Sequence, residues 1–138
     1  MKSTFYKKII AIAAAFGMIG VAFGAFGAHV LKSRLDVNSL EALKTGVLYL
    51  FIHVLAAVCM GILSLSLPSS RIIRSAAVFF LVGVFLFSGS LFLISTSDLT
   101  GFPSSYVGFL TPVGGLAFIC GWVALLVFAI SGRSDQAS

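Results

Sequence analysis

Four stretches free of Lys, Arg, Asp and Glu, at 9–30, 45–70, 75–97 and 99–132, take up most of this 138-residue chain. Each supplies the roughly 20 residues that cross about 30 Å of hydrocarbon at about 1.5 Å rise per residue. Inside a bilayer no water satisfies a backbone N–H or C=O, so an apolar run of that length reads as a helix. The expected fold is an all-α membrane protein of four transmembrane helices, at 9–28, 45–67, 75–97 and 109–130, in one compact bundle. With 9% charged and 59% hydrophobic residues, little is left for a soluble domain. A single four-helix transmembrane domain over 1–138 is the expectation.

Lys7 and Lys8 before the first run, and Ala25-Phe26-Gly27 at its end, imitate a secretory signal and its cleavage site. The run is longer than the 7–15 or so residues of a signal core, so a retained helix is expected. The net charge of +5 does not point to nucleic acid, because the cations are scattered over membrane-flanking segments without interleaved aromatics. They speak about orientation. Lys2, Lys7, Lys8, Arg71, Arg74 and Arg133 flank one side, and Lys32, Arg34 and Lys44 the other. By the positive-inside rule both termini are expected in the cytoplasm, with the loop 99–108 outside.

In the first helix Ala13, Gly17, Gly20, Gly24 and Gly27 share one face, and Met18, Ala22, Ala25 and His29 share another. Lipid tails are as apolar as Leu, so helices in a bilayer associate through close contact, which small residues permit. Two such faces predict that this helix lies inside the bundle between two neighbours, and that a leucine at Gly24 costs more stability than one at Phe23. Asn38 and Glu41 have the spacing of a capping box, which predicts a second helix starting near Ser39. Pro68 marks its end.

Tyr49, His53, Ala57, Gly61 and Ser64 fall on one face of the second helix, so His53 points toward a neighbouring helix about 12 Å below the outer boundary. An ionisable group at that depth is a candidate functional residue. The alternative is a neutral ring making one interhelical hydrogen bond. Ser88 and Ser90, beside Gly89 in the third helix, lie at comparable depth and are candidate partners, although serines also bond carbonyls of their own helix. Tyr49, His53, Ser88, Ser90 and His29 form the candidate polar cluster. The predicted packing glycines are Gly17, Gly20, Gly24, Gly27, Gly61, Gly89, Gly114 and Gly115, the last two against the first helix.

Thr111-Pro112 fits the start of the fourth helix. Trp122 lies too deep for an interfacial belt, so its indole N–H requires a partner inside the bundle. Cys59 and Cys120 match no metal or disulfide spacing and are expected as buried packing residues. No span contains a carboxylate, and no nucleophile–base pair or phosphate-cradling loop appears. His29 and His53 are awkwardly placed for one haem. No enzyme activity, cofactor or metal is expected.

"FGAFGAHVLK", "YLFIH", "FSGSLFLIS" and "TPVGGLAFICGW" occur in that order along the chain. Together they resemble the small bacterial inner-membrane proteins of the YgdD/YwdK type, a family with four predicted transmembrane helices and no established activity. The resemblance implies a multi-pass protein of the bacterial cytoplasmic (inner) membrane. It marks Gly24, Gly27, His29, Lys32, Tyr49, His53, Ser88, Gly89, Ser90, Thr111, Pro112, Gly114, Gly115, Gly121 and Trp122. Leu48 departs from the pattern, since relatives often carry glutamine before the tyrosine. Small-residue faces without catalytic groups favour a non-enzymatic role in interaction or assembly, with the lipid bilayer as environment and a homo-oligomer or larger membrane complex as the expected partner. The alternative is a small permease or channel-like protein for a proton, ion or small solute, using His53.

Overall fold

Each apolar stretch forms one long helix. The computed structural model describes residues 2–67 and 70–131. Its helices are α1 (Lys2–His29), α2 (Val37–Ser66), α3 (Arg71–Ser95) and α4 (Leu110–Ser131). All four are long and apolar enough to cross a membrane. Pro68 and Arg133, used above to end a helix and to count charge, lie outside the described residues.

α1, α2 and α3 begin ahead of their uncharged stretches because polar flanks continue the backbone hydrogen bonding beyond the hydrocarbon, whereas α4 lies within its own. α2 begins earlier than the capping box suggests. Asp36, extended at φ −66° and ψ 167°, accepts from the N–H groups of Asn38 (2.9 Å) and Ser39 (3.1 Å). An ionised carboxylate two residues upstream thus takes the N-cap from Asn38. Hydrogen bonds from the Ser39 side chain and from the backbone N–H groups of Ser39 and Asn38 hold the Asp36 carboxyl below its ordinary pKa.

Successive helices run antiparallel, as when Gly27 near the end of α1 meets Leu43 near the start of α2, while Gly61 meets Ile9. Both ends of the four-helix path therefore lie at one face. Only 17% of the apolar stretch of α1, and the same share of α4, is buried, against 39% in α2 and 44% in α3. So α2 and α3 form the centre, with α1 packed on α2 and α4 on α3.

This corrects the placement of the first helix. α1 has one substantial neighbour, and Met18, Ala22, Ala25 and His29 are exposed. Its inward face is Ile9, Ala13, Phe16, Gly20, Phe23 and Gly27, in which phenylalanines alternate with small residues. This face keeps Ala13, Gly20 and Gly27 of the expected row, but Phe16 and Phe23 stand where Gly17 and Gly24 were expected, because their rings gain packing contact with the core that a glycine does not offer. Phe23 stacks on Phe92 of α3 with centroids 4.2 Å apart. Gly17 has nothing nearby that a methyl group would touch, and at Gly24 such a group would make only ordinary contact with Val47. A first side-chain carbon at Gly24 thus meets no clash that would support the expected cost there. Gly89 is likewise open. Cys59 and Cys120 are exposed on the outer surface rather than buried, which costs little where the surroundings are lipid.

α3 is not a uniform α-helix. Val84–Ser88 forms a π-helical turn, in which the Gly89 N–H reaches back to the Val84 carbonyl. Such turns insert one residue and locally re-aim the side chains around them. After α3, a one-turn helix at Ser97–Thr100 ends at Gly101, whose φ of 71° suits glycine.

Candidate functional site

α3 and α4 meet through a reciprocal pattern written at complementary spacing. Phe80, Gly83 and Phe87 on α3 face Gly121, Phe118 and Gly114 on α4, so every large ring lies opposite a missing side chain. A Cβ on Gly121 would come 2.6 Å from Cε1 of Phe80, and one on Gly83 would collide with the Phe118 ring. At Gly114 it would lie 2.8 Å from the Cα of Phe87, within the π turn, so two backbones cross here at contact distance. Gly114 was predicted to pack against α1. It packs against α3, because α4 shares no appreciable contact with α1 among the described residues.

These rings converge on His53 of α2, which is 4% exposed. Phe118 stacks on the imidazole at 3.5 Å between centroids and 13° between planes. Phe80 lies tilted at 5.7 Å and Trp122 edge-on at 6.1 Å. Tyr49, one turn away on α2, stacks against His53 at 5.7 Å and Phe87 at 4.7 Å. The imidazole is thus flanked by aromatic surface from three helices, an apolar surrounding that raises the cost of any unmade hydrogen bond.

Both ring nitrogens are bonded. Nδ1 lies 2.8 Å from the Tyr49 carbonyl oxygen. The Trp122 indole N–H donates to Nε2 at 3.1 Å. A carbonyl only accepts and an indole N–H only donates, so Nδ1 carries the hydrogen and Nε2 offers its lone pair. The two partners fit one tautomer of the neutral ring, and an imidazolium would set Nε2–H against the indole N–H.

Trp122 therefore has the internal partner its depth demanded, although 46% of its surface remains exposed. The serines do not join His53. Ser88, fully buried, donates to the Gly46 carbonyl at 2.7 Å and ties α3 to α2. Ser90 lies 2.9 Å from the Phe87 carbonyl and 2.7 Å from the Thr111 hydroxyl, tying the π turn to the start of α4. Its single hydrogen goes to the carbonyl, so Thr111 donates to it. His29 is exposed at the far end of α1 and belongs to none of these contacts. Among the predicted cluster, Tyr49 and His53 come together, Ser88 and Ser90 fasten neighbouring helices, and His29 stands apart.

Sequence reasoning missed Phe80, Phe87 and Phe118. Their signal was present: Tyr49/His53 and Phe118/Trp122 are each four apart, and Phe80/Phe87 seven apart, so each pair shares a helical face. Among the described residues no three His, Cys, Asp or Glu side chains gather to hold a metal. Chemically, the site is a rigid joint of three helices. Both nitrogens of its imidazole are engaged in that joint.

Residues 23–115 match the family described as "Protein of unknown function (DUF423)". The chain is 39% identical over 128 residues to the UPF0382 inner membrane protein YgdD of Escherichia coli, covering 90% of each chain. It is 33% identical over 124 residues to the UPF0382 membrane protein YwdK of Bacillus subtilis, covering 90% of this chain and 97% of that one. A UPF0382 membrane protein of Haemophilus influenzae is 30% identical over 128 residues, covering 93% of this chain and 98% of its own. No solved structure gives a significant match.

Proposed function

Because the chain belongs to the DUF423 family, whose description carries no activity to transfer, we propose from its geometry a non-enzymatic role in interaction or assembly within the bacterial inner membrane. The observation that carries this reading is the outward row Met18, Ala22, Ala25 and His29 on α1, exposed along the side of the helix that α2 leaves uncovered. Small residues gain nothing by facing lipid and gain close contact by facing another helix. A second copy or a helix of a larger membrane complex is the partner this row suits. The location follows YgdD, which is named an inner membrane protein.

The permease alternative draws no support from His53. A titratable relay needs a polar route to water, whereas this ring is stacked against phenylalanine and bonded at both nitrogens. Both termini are proposed to be cytoplasmic, since Lys7, Lys8, Arg71 and Arg74 gather at the end where the helical path starts.

Cysteine at Ala22, with Cys59 and Cys120 changed to alanine, tests the partner row. Disulfide-linked species should form in membranes from Ala22→Cys and not from Val78→Cys on α3. Absence of any crosslink, with a monomer alone in native mass spectrometry after gentle extraction, overturns the assembly reading. Proton flux through wild-type proteoliposomes that His53→Gln abolishes would favour the permease.

A further inference from the structure

A groove of about 300 Å³ opens between α1 and α3 at the basic end of the bundle, walled by Phe5, Arg74, Ser75, Val78 and Phe79. Arg74 belongs to the opening of α3, and its guanidinium lies over the Phe5 ring, 4.5 Å from the centroid. A cation seated on an aromatic face is held in place while the edge of the guanidinium, with its forked N–H donors, stays available. Ser75 adds a hydroxyl at the same level. Val78 and Phe79 follow along α3, about 6–8 Å deeper at about 1.5 Å per residue, and both are exposed. The groove is therefore polar and cationic at its rim and apolar below, the order of phosphate and acyl chain in one leaflet.

Charge agrees with that order. Lys7, Lys8 and Arg71 share this end, whereas the described acids Asp36, Glu41 and Asp98 all sit at the other. We infer that the groove is a binding site for one anionic phospholipid. Its phosphate pairs with the Arg74 guanidinium and the Ser75 hydroxyl, and one acyl chain lies along Val78 and Phe79 with Phe5 at its side. This site is independent of the assembly role, since it lies on another face of α1 and involves none of the outward small residues.

The test is native mass spectrometry of the full chain extracted into micelles holding equal amounts of phosphatidylglycerol and phosphatidylcholine. One phosphatidylglycerol should be retained in preference to phosphatidylcholine, and Arg74→Gln should lower its retention about tenfold, the scale of a lost charge-assisted contact. Arg71→Gln, which removes the same charge nearby, should leave the preference in place. Val78→Trp, which fills the groove and keeps every charge, should lower retention as Arg74→Gln does, and it carries the test if Arg74→Gln fails to fold. Equal losses from Arg74→Gln and Arg71→Gln would reduce the effect to general attraction and overturn the site. So would equal retention of the two lipids, an unaffected Val78→Trp, or displacement of the lipid by soluble glycerol 3-phosphate, which would mark a free-phosphate site instead.

Discussion

The α1–α2 contact and the α3–α4 contact both rest on glycines, yet they are different kinds of joint. At Gly27 the space a side chain would need is occupied by the tip of Leu43, and at Gly20 by the tip of Leu50 with the edge of the Phe51 ring 3.1 Å away, so side-chain ends rather than backbone stand opposite. At Gly114 it is occupied by the backbone of Phe87, and at Gly83 and Gly121 by buried rings. The α3–α4 side is also fastened by polar bonds, from Thr111 to Ser90 and, through α2, from Trp122 to His53 and from Ser88 to Gly46. No hydrogen bond joins α1 to α2 side chain to side chain among the described residues. Glycine at a helix contact is thus of two grades, set by what stands opposite: a flexible tip yields, whereas a backbone or a wedged ring does not.

The largest expected effect falls on the rigid joint. Gly114→Ala should cost about 1–3 kcal/mol, the range of overpacking in a filled core, because α3 and α4 must separate along their length. Gly27→Ala should cost less, and Gly24→Ala almost nothing. Thermal melting of the three variants in detergent orders them, and equal losses at Gly114 and Gly27 would erase the distinction between the joints.

Next comes the polar fastening. His53→Leu leaves the Trp122 N–H without its acceptor and should cost about 0.6–2 kcal/mol, as for interhelical hydrogen bonds in membranes. His53→Gln retains a donor and an acceptor and should lose less. The emission of Trp122, the single tryptophan, reads the site directly, and identical spectra in wild type and His53→Leu would count against the bond.

On the yielding side, Phe23→Leu removes the stack on Phe92 and should cost about 0.5–1.5 kcal/mol beyond the lost area. It should therefore destabilise more than Gly24→Ala in the same melt.

The smallest effect is at Asp36, exposed at the head of α2. Its carboxyl is held below the ordinary value, chiefly by the Ser39 side chain. A folded pKa below the unfolded one means that the cap stabilises above the unfolded pKa and that this contribution is lost as pH falls through the folded one. Asp36→Ala should melt below wild type at neutral pH, and the gap should close toward pH values under the ordinary aspartate range. A gap unchanged by acid would show that the charge plays no part.

The two joints also differ in how far the sequence discloses them. The number of helices, their antiparallel succession and the demand of Trp122 for a partner follow from periodicity and from the cost of leaving polar groups dry. The α1 face is half-legible: Ala13, Gly20 and Gly27 of the expected row face inward, whereas Gly17 and Gly24 give way to Phe16 and Phe23, a choice decided only by the core that includes Phe92. The phenylalanine–glycine register of α3 and α4 is spelled in the spacing of Phe80, Gly83, Phe87 and of Gly114, Phe118, Gly121, but it becomes visible only when the two helices are known to pair.

By itself the sequence determined that this is a multi-pass helical membrane protein, because twenty or so apolar residues without charge can satisfy their backbone in lipid only as a helix. It also determined which polar side chains would have to find partners. Which partners they found was decided by the tertiary structure. Ser88 took the Gly46 carbonyl where α3 packs on α2, His53 took the Trp122 indole where α2 meets α4, and the glycine at Gly114 let α4 approach the π turn of α3. Periodicity fixes the face on which a side chain lies, while only packing fixes what stands across from it, since in lipid that choice depends on shape rather than on burial from water.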